Sequence, residues 1–139
     1  MKTLIFIVLI SLSSASSHSQ TLELFELQKR CSVESSKFLE QNKVELLSPS
    51  KDALNTFSNH FNKKNGWCLF SINTIIPTRK YVKFIDIYNV LENKSVVSFM
   101  SGTHAKTGEY MIFMCKLSNG NKCNTELEVQ EEANKLMSE

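Results

Sequence analysis

Residues 81–101 read YVKFIDIYNVLENKSVVSFMS, and this stretch decides the fold. Aromatic and β-branched residues dominate both of its halves, and the polar turn ENK at 92–94 separates them. Such runs, bounded by turn residues, are typical of two β-strands joined by a short reversal. The sequence therefore predicts strands over 81–92 and 95–101 that pair in antiparallel fashion.

Two further strands are predicted on either side of this pair. Residues 67–76, WCLFSINTII, contain no charge and end before Pro77. Residues 109–117, EYMIFMCKL, place alternate apolar side chains from Met111 to Leu117 on one face. Four consecutive strands with short links predict an antiparallel meander.

Helical spacing replaces strand spacing at both ends of the chain. Residues 22–42 predict a helix with one apolar face, and a second helix is predicted from about 50 to 62. A last helix is predicted from about 125 to 137, because Thr125 and Glu128 fit a capping box. The predicted fold is a two-layer α+β domain, in which N-terminal helices and a C-terminal helix cover one face of a sheet of about four antiparallel strands.

The N-terminus has the order of a secretory signal peptide. Lys2 precedes a short apolar run that is followed by small residues. Cleavage is expected after Ala15 or after Ser19, which leaves residues 20–139 as a single domain. The run is too short to span a bilayer, and no later segment is apolar enough to do so. We therefore expect a secreted or periplasmic protein without a transmembrane segment.

Four cysteines lie in the expected mature chain: Cys31, Cys68, Cys115 and Cys123. In an exported chain an even number of cysteines predicts disulfides, and four allow three pairings. The turn between Cys115 and Cys123 favours their pairing, which leaves Cys31 to Cys68. No Cys-X2-Cys pair occurs, so no structural zinc site is predicted.

The charge balance argues against nucleic-acid binding. Lys2 is the one charged residue in 1–19, so 15 basic residues face 14 acidic ones in the rest of the chain. Proteins that bind nucleic acid through their general charge are strongly basic. A nearly neutral domain therefore predicts no nucleic-acid partner.

The charges are nevertheless unevenly distributed along the chain. No Asp or Glu lies between Ala53 and Ile85, whereas the last helix is acidic. One hypothesis is a basic patch that docks an acidic protein or an anionic envelope surface. The alternative is a pair of solvated loops at one end of the sheet. The patch would consist of Lys63, Lys64, Arg79, Lys80 and Lys83.

No catalytic constellation is visible in the sequence. A nucleophile elbow is absent, and the chain has four glycines, too few for a phosphate loop. We predict no cofactor and no metal. The main hypothesis is an exported, non-enzymatic binding or inhibitor-like module. One alternative is a small secreted hydrolase that uses His60 with Asp52 or Asp86, although Asp86 is expected to face the surface. A structural envelope protein is the other.

The order of Cys31, the step His60-Phe61-Asn62, and Cys68 resembles that of small exported bacterial proteins of unknown function. In those proteins a helical Cys precedes a His-aromatic-Asn step and a Cys that opens a strand. The resemblance implies a bacterial envelope or secreted location and no particular activity.

A separate pattern, Asn93-Lys94-Ser95, is an acceptor sequence for N-linked glycans at a predicted turn.

Overall fold

The structure is a computed structural model that describes residues 15–47, 50–77, 81–104 and 106–139, with side chains from Gln20 onward. Within these ranges it contains two helices and five strands. They are α1 (Ala15–Leu46), β1 (Leu54–Asn62), β2 (Trp67–Ile76), β3 (Val82–Asn89), β4 (Lys94–Thr103), β5 (Tyr110–Lys116) and α2 (Glu126–Leu136).

The five strands form one sheet in the order β1-β2-β3-β4-β5. Every neighbouring pair is antiparallel, so the predicted meander is confirmed with one additional strand. The register places Leu69 of β2 between His60 of β1 and Asn89 of β3. Residues directly opposite in such pairs point to the same side of the sheet. The register therefore assigns each side chain to a face.

One face of the sheet packs against α1 and is called here the α1 face. Phe70 and Ile72 of β2 are buried there against Phe38 of the helix. The ring of Phe38 lies 6.0 Å from that of Phe70 and 5.2 Å from that of Tyr88. This small cluster fixes the helix above β2 and the neighbouring end of β3.

The other face, called here the α2 face, carries the larger core. Leu69, Ile87 and Phe99 are completely buried and pack in one cluster with Val129 and Leu136 of α2. Asn62 is also completely buried, and its side-chain amide donates to the Leu136 carbonyl at 2.8 Å. Apolar burial and one buried hydrogen bond together hold α2 on this face.

The α+β class and the antiparallel sheet are confirmed, but the arrangement of the layers differs from the prediction. The two helices lie on opposite faces, so the molecule has three layers instead of two. The reason is visible in β2, where the neighbours Cys68 and Leu69 are both buried although they point in opposite directions. A strand that is apolar on both sides needs cover on both.

The predicted helix over 50–62 is wrong, because Leu54–Asn62 is the edge strand β1. Phe57 and Phe61 fit a helical spacing, but they also lie on one side of a strand, since they are four positions apart and side chains alternate along a strand. Pairing with β2 decides between the two, since the Asn65-Gly66 turn is compatible with either. Gly66 has a φ of 68°, as hairpin turns require, and the turn pairs β1 with β2.

The remaining helices agree with their predictions. The helix predicted over 22–42 lies inside the longer α1. Thr125 caps α2, because its hydroxyl accepts a hydrogen bond from the Glu128 amide at 3.3 Å. No helix within the described ranges is long and apolar enough to cross a membrane. Most of the predicted signal peptide, residues 1–14, lies outside those ranges, so that segment stays a prediction.

Both predicted disulfides are confirmed. Cys31 of α1 pairs with Cys68 of β2, with their Cα atoms 5.2 Å apart. Cys115 of β5 pairs with Cys123, which lies three residues before the start of α2, at a Cα separation of 5.3 Å. No cysteine is free. Each helix is therefore joined covalently to the sheet near the place where it packs.

Candidate functional site

The candidate site lies on the α1 face, where the helix leaves part of the sheet uncovered. α1 packs mainly on β1 and β2. On β5, the apolar side chains of Met111, Phe113 and Met114 are 42%, 49% and 47% exposed. Phe84 of β3 and Met100 of β4 are half-buried beside them. These five residues form an apolar surface, called here the open face.

Gly102 shapes this surface. A Cβ atom at residue 102 would lie 2.7 Å from the Tyr81 carbonyl oxygen and 3.2 Å from the ring of Phe113. Neither distance is possible without a shift of the neighbouring atoms. The missing side chain therefore allows the Phe113 ring to lie against β4.

A cavity of about 290 Å³ opens between the C-terminal end of α1 and strands β2 and β3. It is called here the Asp86 cavity. Leu46, Leu47, Ile72 and Phe84 supply apolar walls. The polar groups that matter for its charge are Glu45, Asp86 and Tyr88.

Asp86 is half-buried in this cavity, which corrects the prediction that it faces the surface. Burial raises the pKa of its carboxyl group, and a hydrogen bond from the Ser98 hydroxyl opposes that shift. The hydroxyl groups of Ser95 and Ser98 lie 2.8 Å apart and extend this polar row. No basic side chain belongs to the described lining of the cavity. Among the described residues that line the cavity, the Asp86 carboxylate therefore has no basic neighbour, and its hydrogen-bond donor is Ser98.

The phenol group of Tyr88 lies in the same cavity, near the carboxylates of Asp86 and Glu45. Its pKa is raised to about 12, first by burial and then by the negative charges of Asp86 and Glu45. Both carboxylates disfavour a further negative charge on the phenol oxygen. The polar part of the cavity thus has a negative potential.

The structure does not bring His60 together with either predicted catalytic aspartate. His60 lies opposite Leu69 and points to the α2 face, whereas Asp86 lies opposite Ile72 and points to the α1 face. Asp52 is exposed before the start of β1, eight residues from His60. The Nε2 atom of His60 is buried without a hydrogen-bond partner among the described residues. Neither predicted aspartate is therefore placed to orient His60 as a base.

The neighbours of His60 in the His-Phe-Asn step have structural roles. The amide of Phe61 donates to the side-chain oxygen of Gln28 in α1 at 2.7 Å. The Gln28 side-chain amide donates in turn to the side chain of Asn59 at 3.0 Å. Asn62 accepts from the Asn65 amide at 2.9 Å, in addition to its bond to α2. The step therefore ties β1 to both helices and to its own turn.

The three described residues of the predicted basic patch, Lys63, Lys64 and Lys83, do not lie together. Lys63 and Lys64 lie in the turn that precedes β2, and Lys83 follows the opposite end of that strand. β2 has 10 residues, so at roughly 3.3 Å per residue its ends are about 30 Å apart. Arg79 and Lys80 lie outside the described residues.

Two of these lysines are neutralised within the chain. Lys64 pairs with Glu139 at 3.3 Å, and Lys83 forms a close ion pair with Glu126 of α2. The acidic helix thus compensates part of the basic segment. An acidic protein or an anionic surface as partner stays a prediction.

Residue spacing could have revealed part of this site. Phe84, Asp86 and Tyr88 alternate along β3, so they share a face in any strand. Glu45 could not be assigned to the same place, because its position depends on how the end of α1 packs.

No cluster of three or more metal-ligating side chains occurs in the part of the chain that the structure describes.

Comparisons with protein-family models, with curated proteins and with solved structures find no match to this chain. The resemblance to small exported bacterial proteins stays a prediction.

Proposed function

We propose that the protein is an exported, non-enzymatic binding module that takes a small organic amine in the Asp86 cavity. The observation that carries this proposal is the half-buried Asp86 carboxylate, which faces an apolar cavity whose described lining contains no cation.

The charge of the ligand follows from the cost of burying a carboxylate. An ion removed from water needs a partner of opposite charge or several hydrogen bonds. Ser98 supplies one hydrogen bond, and Glu45 adds a second negative charge nearby. A protonated amine would offset one of these two charges and donate hydrogen bonds to Asp86.

The rest of the ligand follows from the walls of the cavity. Leu46, Ile72 and Phe84 offer apolar contacts, and the volume of about 290 Å³ is close to the lower end for small-molecule sites. The occupant is therefore a compact molecule with an apolar or aromatic body. The neighbouring open face would contact any part that extends from the cavity.

The disulfides support the location. Both bridges persist in an oxidising environment, as found outside the cytoplasm. Together with the predicted signal peptide, they support a secreted or periplasmic protein.

Calorimetric titration with 2-phenylethylamine tests the proposal, with 2-phenylethanol as a neutral probe of the same shape. The amine should bind at least tenfold more tightly at pH 7, since a charge-assisted hydrogen bond contributes about 1.5–3 kcal/mol. Asp86→Asn should remove this preference. Asp52→Asn, which removes an exposed carboxylate outside the cavity, should leave it unchanged.

Three results would overturn the proposal. They are equal affinity for the amine and the alcohol, an unchanged preference in the Asp86→Asn variant, and the absence of amine binding at millimolar concentration. The last of these would favour a structural envelope protein instead.

A further inference from the structure

The turn between β3 and β4 holds the one Asn-X-Ser/Thr sequence of the chain, Asn93-Lys94-Ser95. Asn93 is exposed and has a φ of 50°, in the left-handed region that asparagine tolerates better than most residues. The acceptor side chain therefore projects from a tight reversal and is not buried in a strand.

We propose that Asn93 is a site of N-linked glycosylation when the chain is exported through a compartment that carries out this modification. The side-chain nitrogen of Asn93 would form a bond to the anomeric carbon of an oligosaccharide that is linked to a lipid diphosphate. The bond from that carbon to the diphosphate oxygen breaks, the lipid diphosphate leaves, and the amide nitrogen loses one proton. No oxidant or reductant takes part.

The surroundings of Asn93 leave space for a sugar chain. Its neighbours Glu92 and Lys94 are exposed, and the apolar side chain of Leu91 is 61% exposed. A glycan on this turn would cover part of that apolar surface.

A second cavity beside the turn offers contacts for the first sugar. Its volume is about 270 Å³, and its lining includes Trp67, Glu92, Lys94, Ser95 and Asn119. An aromatic ring among polar side chains can pack against the apolar side of a sugar while its hydroxyl groups stay hydrogen-bonded. Ser95, the second residue that the acceptor sequence requires, is half-buried and borders the same cavity.

Glycosylation at this turn is compatible with the amine site. The Asp86 cavity lies beside the end of α1, with Phe84, Asp86 and Tyr88 of β3 in its lining. Asn93 is not part of that lining and lies four residues beyond the end of β3. The two proposals are independent, and either can fail without the other.

The test is expression of the full chain in a eukaryotic secretory cell line, with cell and medium fractions analysed together by mass spectrometry. Treatment with an amidase that releases N-linked glycans should reduce the mass of the wild-type protein and convert Asn93 to Asp. The Asn93→Gln and Ser95→Ala variants should lack the removable mass. Ser95→Thr, which keeps the acceptor pattern, should retain it.

One control separates loss of the acceptor from a disturbed structure. Ser98→Ala removes the same contact between hydroxyl groups that Ser95→Ala removes, but it leaves the acceptor pattern intact. It should be glycosylated like the wild type. Absence of removable mass from the wild-type protein, or its persistence in Asn93→Gln, would overturn the proposal.

Discussion

At the scale of single residues, the surroundings of Asp86 change its acid–base chemistry. Burial raises the pKa of its carboxyl group above the ordinary value. The folded protein therefore binds a proton at this site more readily than the unfolded chain does. As pH rises from the ordinary aspartate value through the raised one, this difference lowers the free energy of unfolding.

The Asp86→Asn variant should lack that pH dependence. We expect its stability relative to the wild type to increase between pH 4 and pH 7, because the wild type has to ionise a half-buried carboxyl group over this range. Urea denaturation followed by circular dichroism at several pH values measures the effect. Asp52→Asn is the control, and parallel pH profiles for wild type and Asp86→Asn would contradict the assignment.

Gly102 leads to a second prediction at this scale. Gly102→Ala should lower the free energy of unfolding by about 1–3 kcal/mol, the usual cost of an overpacked site. The new Cβ would contact the Tyr81 backbone oxygen, so adding Phe113→Ala should not restore the lost stability. Denaturant titration of both variants checks this. Full recovery in the double variant would show that only the Phe113 ring is displaced.

At the scale of elements, the central strands could be predicted from the sequence, whereas β1 could not. Residues 67–76 contain no charge, and their composition agrees with their place inside the sheet. β1 is an edge strand in which four of the nine residues are exposed, so its pattern of burial is weak. Its identity depends on pairing with β2, a contact that local spacing does not report.

The two disulfides should differ in their effect on stability. The Cys31–Cys68 bridge closes a separation of 37 residues, and the Cys115–Cys123 bridge closes one of 8. In the chain-entropy model the longer loop contributes about 4 kcal/mol and the shorter one about 2.5 kcal/mol. Replacing each pair with two alanines and measuring guanidinium unfolding tests this order. A reversed order would contradict the entropic account.

At the scale of the whole molecule, two layers were predicted and three are observed. The spacing of apolar residues does not indicate which face of the sheet each helix covers. Both helices have an apolar side, and either could lie on either face of a meander. The burial of Cys68 and of Leu69 on opposite sides of β2 shows the outcome. The Asp86 cavity depends on the same arrangement. Asp86 projects from the α1 face of the sheet, and the end of α1 forms one wall of the cavity.

The distribution of charge over the molecule leads to a further prediction. Lys83 and Glu126 join β3 to α2, and their side chains are 16% and 29% exposed. Lys83 lowers the pKa of Glu126 more than any other group does. Lys83→Met should therefore reduce stability at pH 7 by up to about 1 kcal/mol, and the loss should diminish as Glu126 is protonated at low pH.

The matched control for Lys83→Met is Lys64→Met, since the Lys64 side chain is 64% exposed in its pair with Glu139. Its effect on the free energy of unfolding should be close to zero. Denaturant titrations at pH 7 and pH 3 measure both variants. Equal losses at pH 7, or a Lys83→Met loss that persists unchanged at pH 3, would contradict the prediction.

The two disulfides also decide how the molecule responds to a protease. Their loops do not overlap along the chain, because Cys68 precedes Cys115. A cut between Cys31 and Cys68, for example in the link from α1 to β1, leaves both pieces covalently joined. A cut between Cys68 and Cys115 separates the chain into two pieces that only non-covalent contacts hold together. A single nick in the first region would stay invisible on a non-reducing denaturing gel, whereas a nick between β2 and β3 would release two fragments.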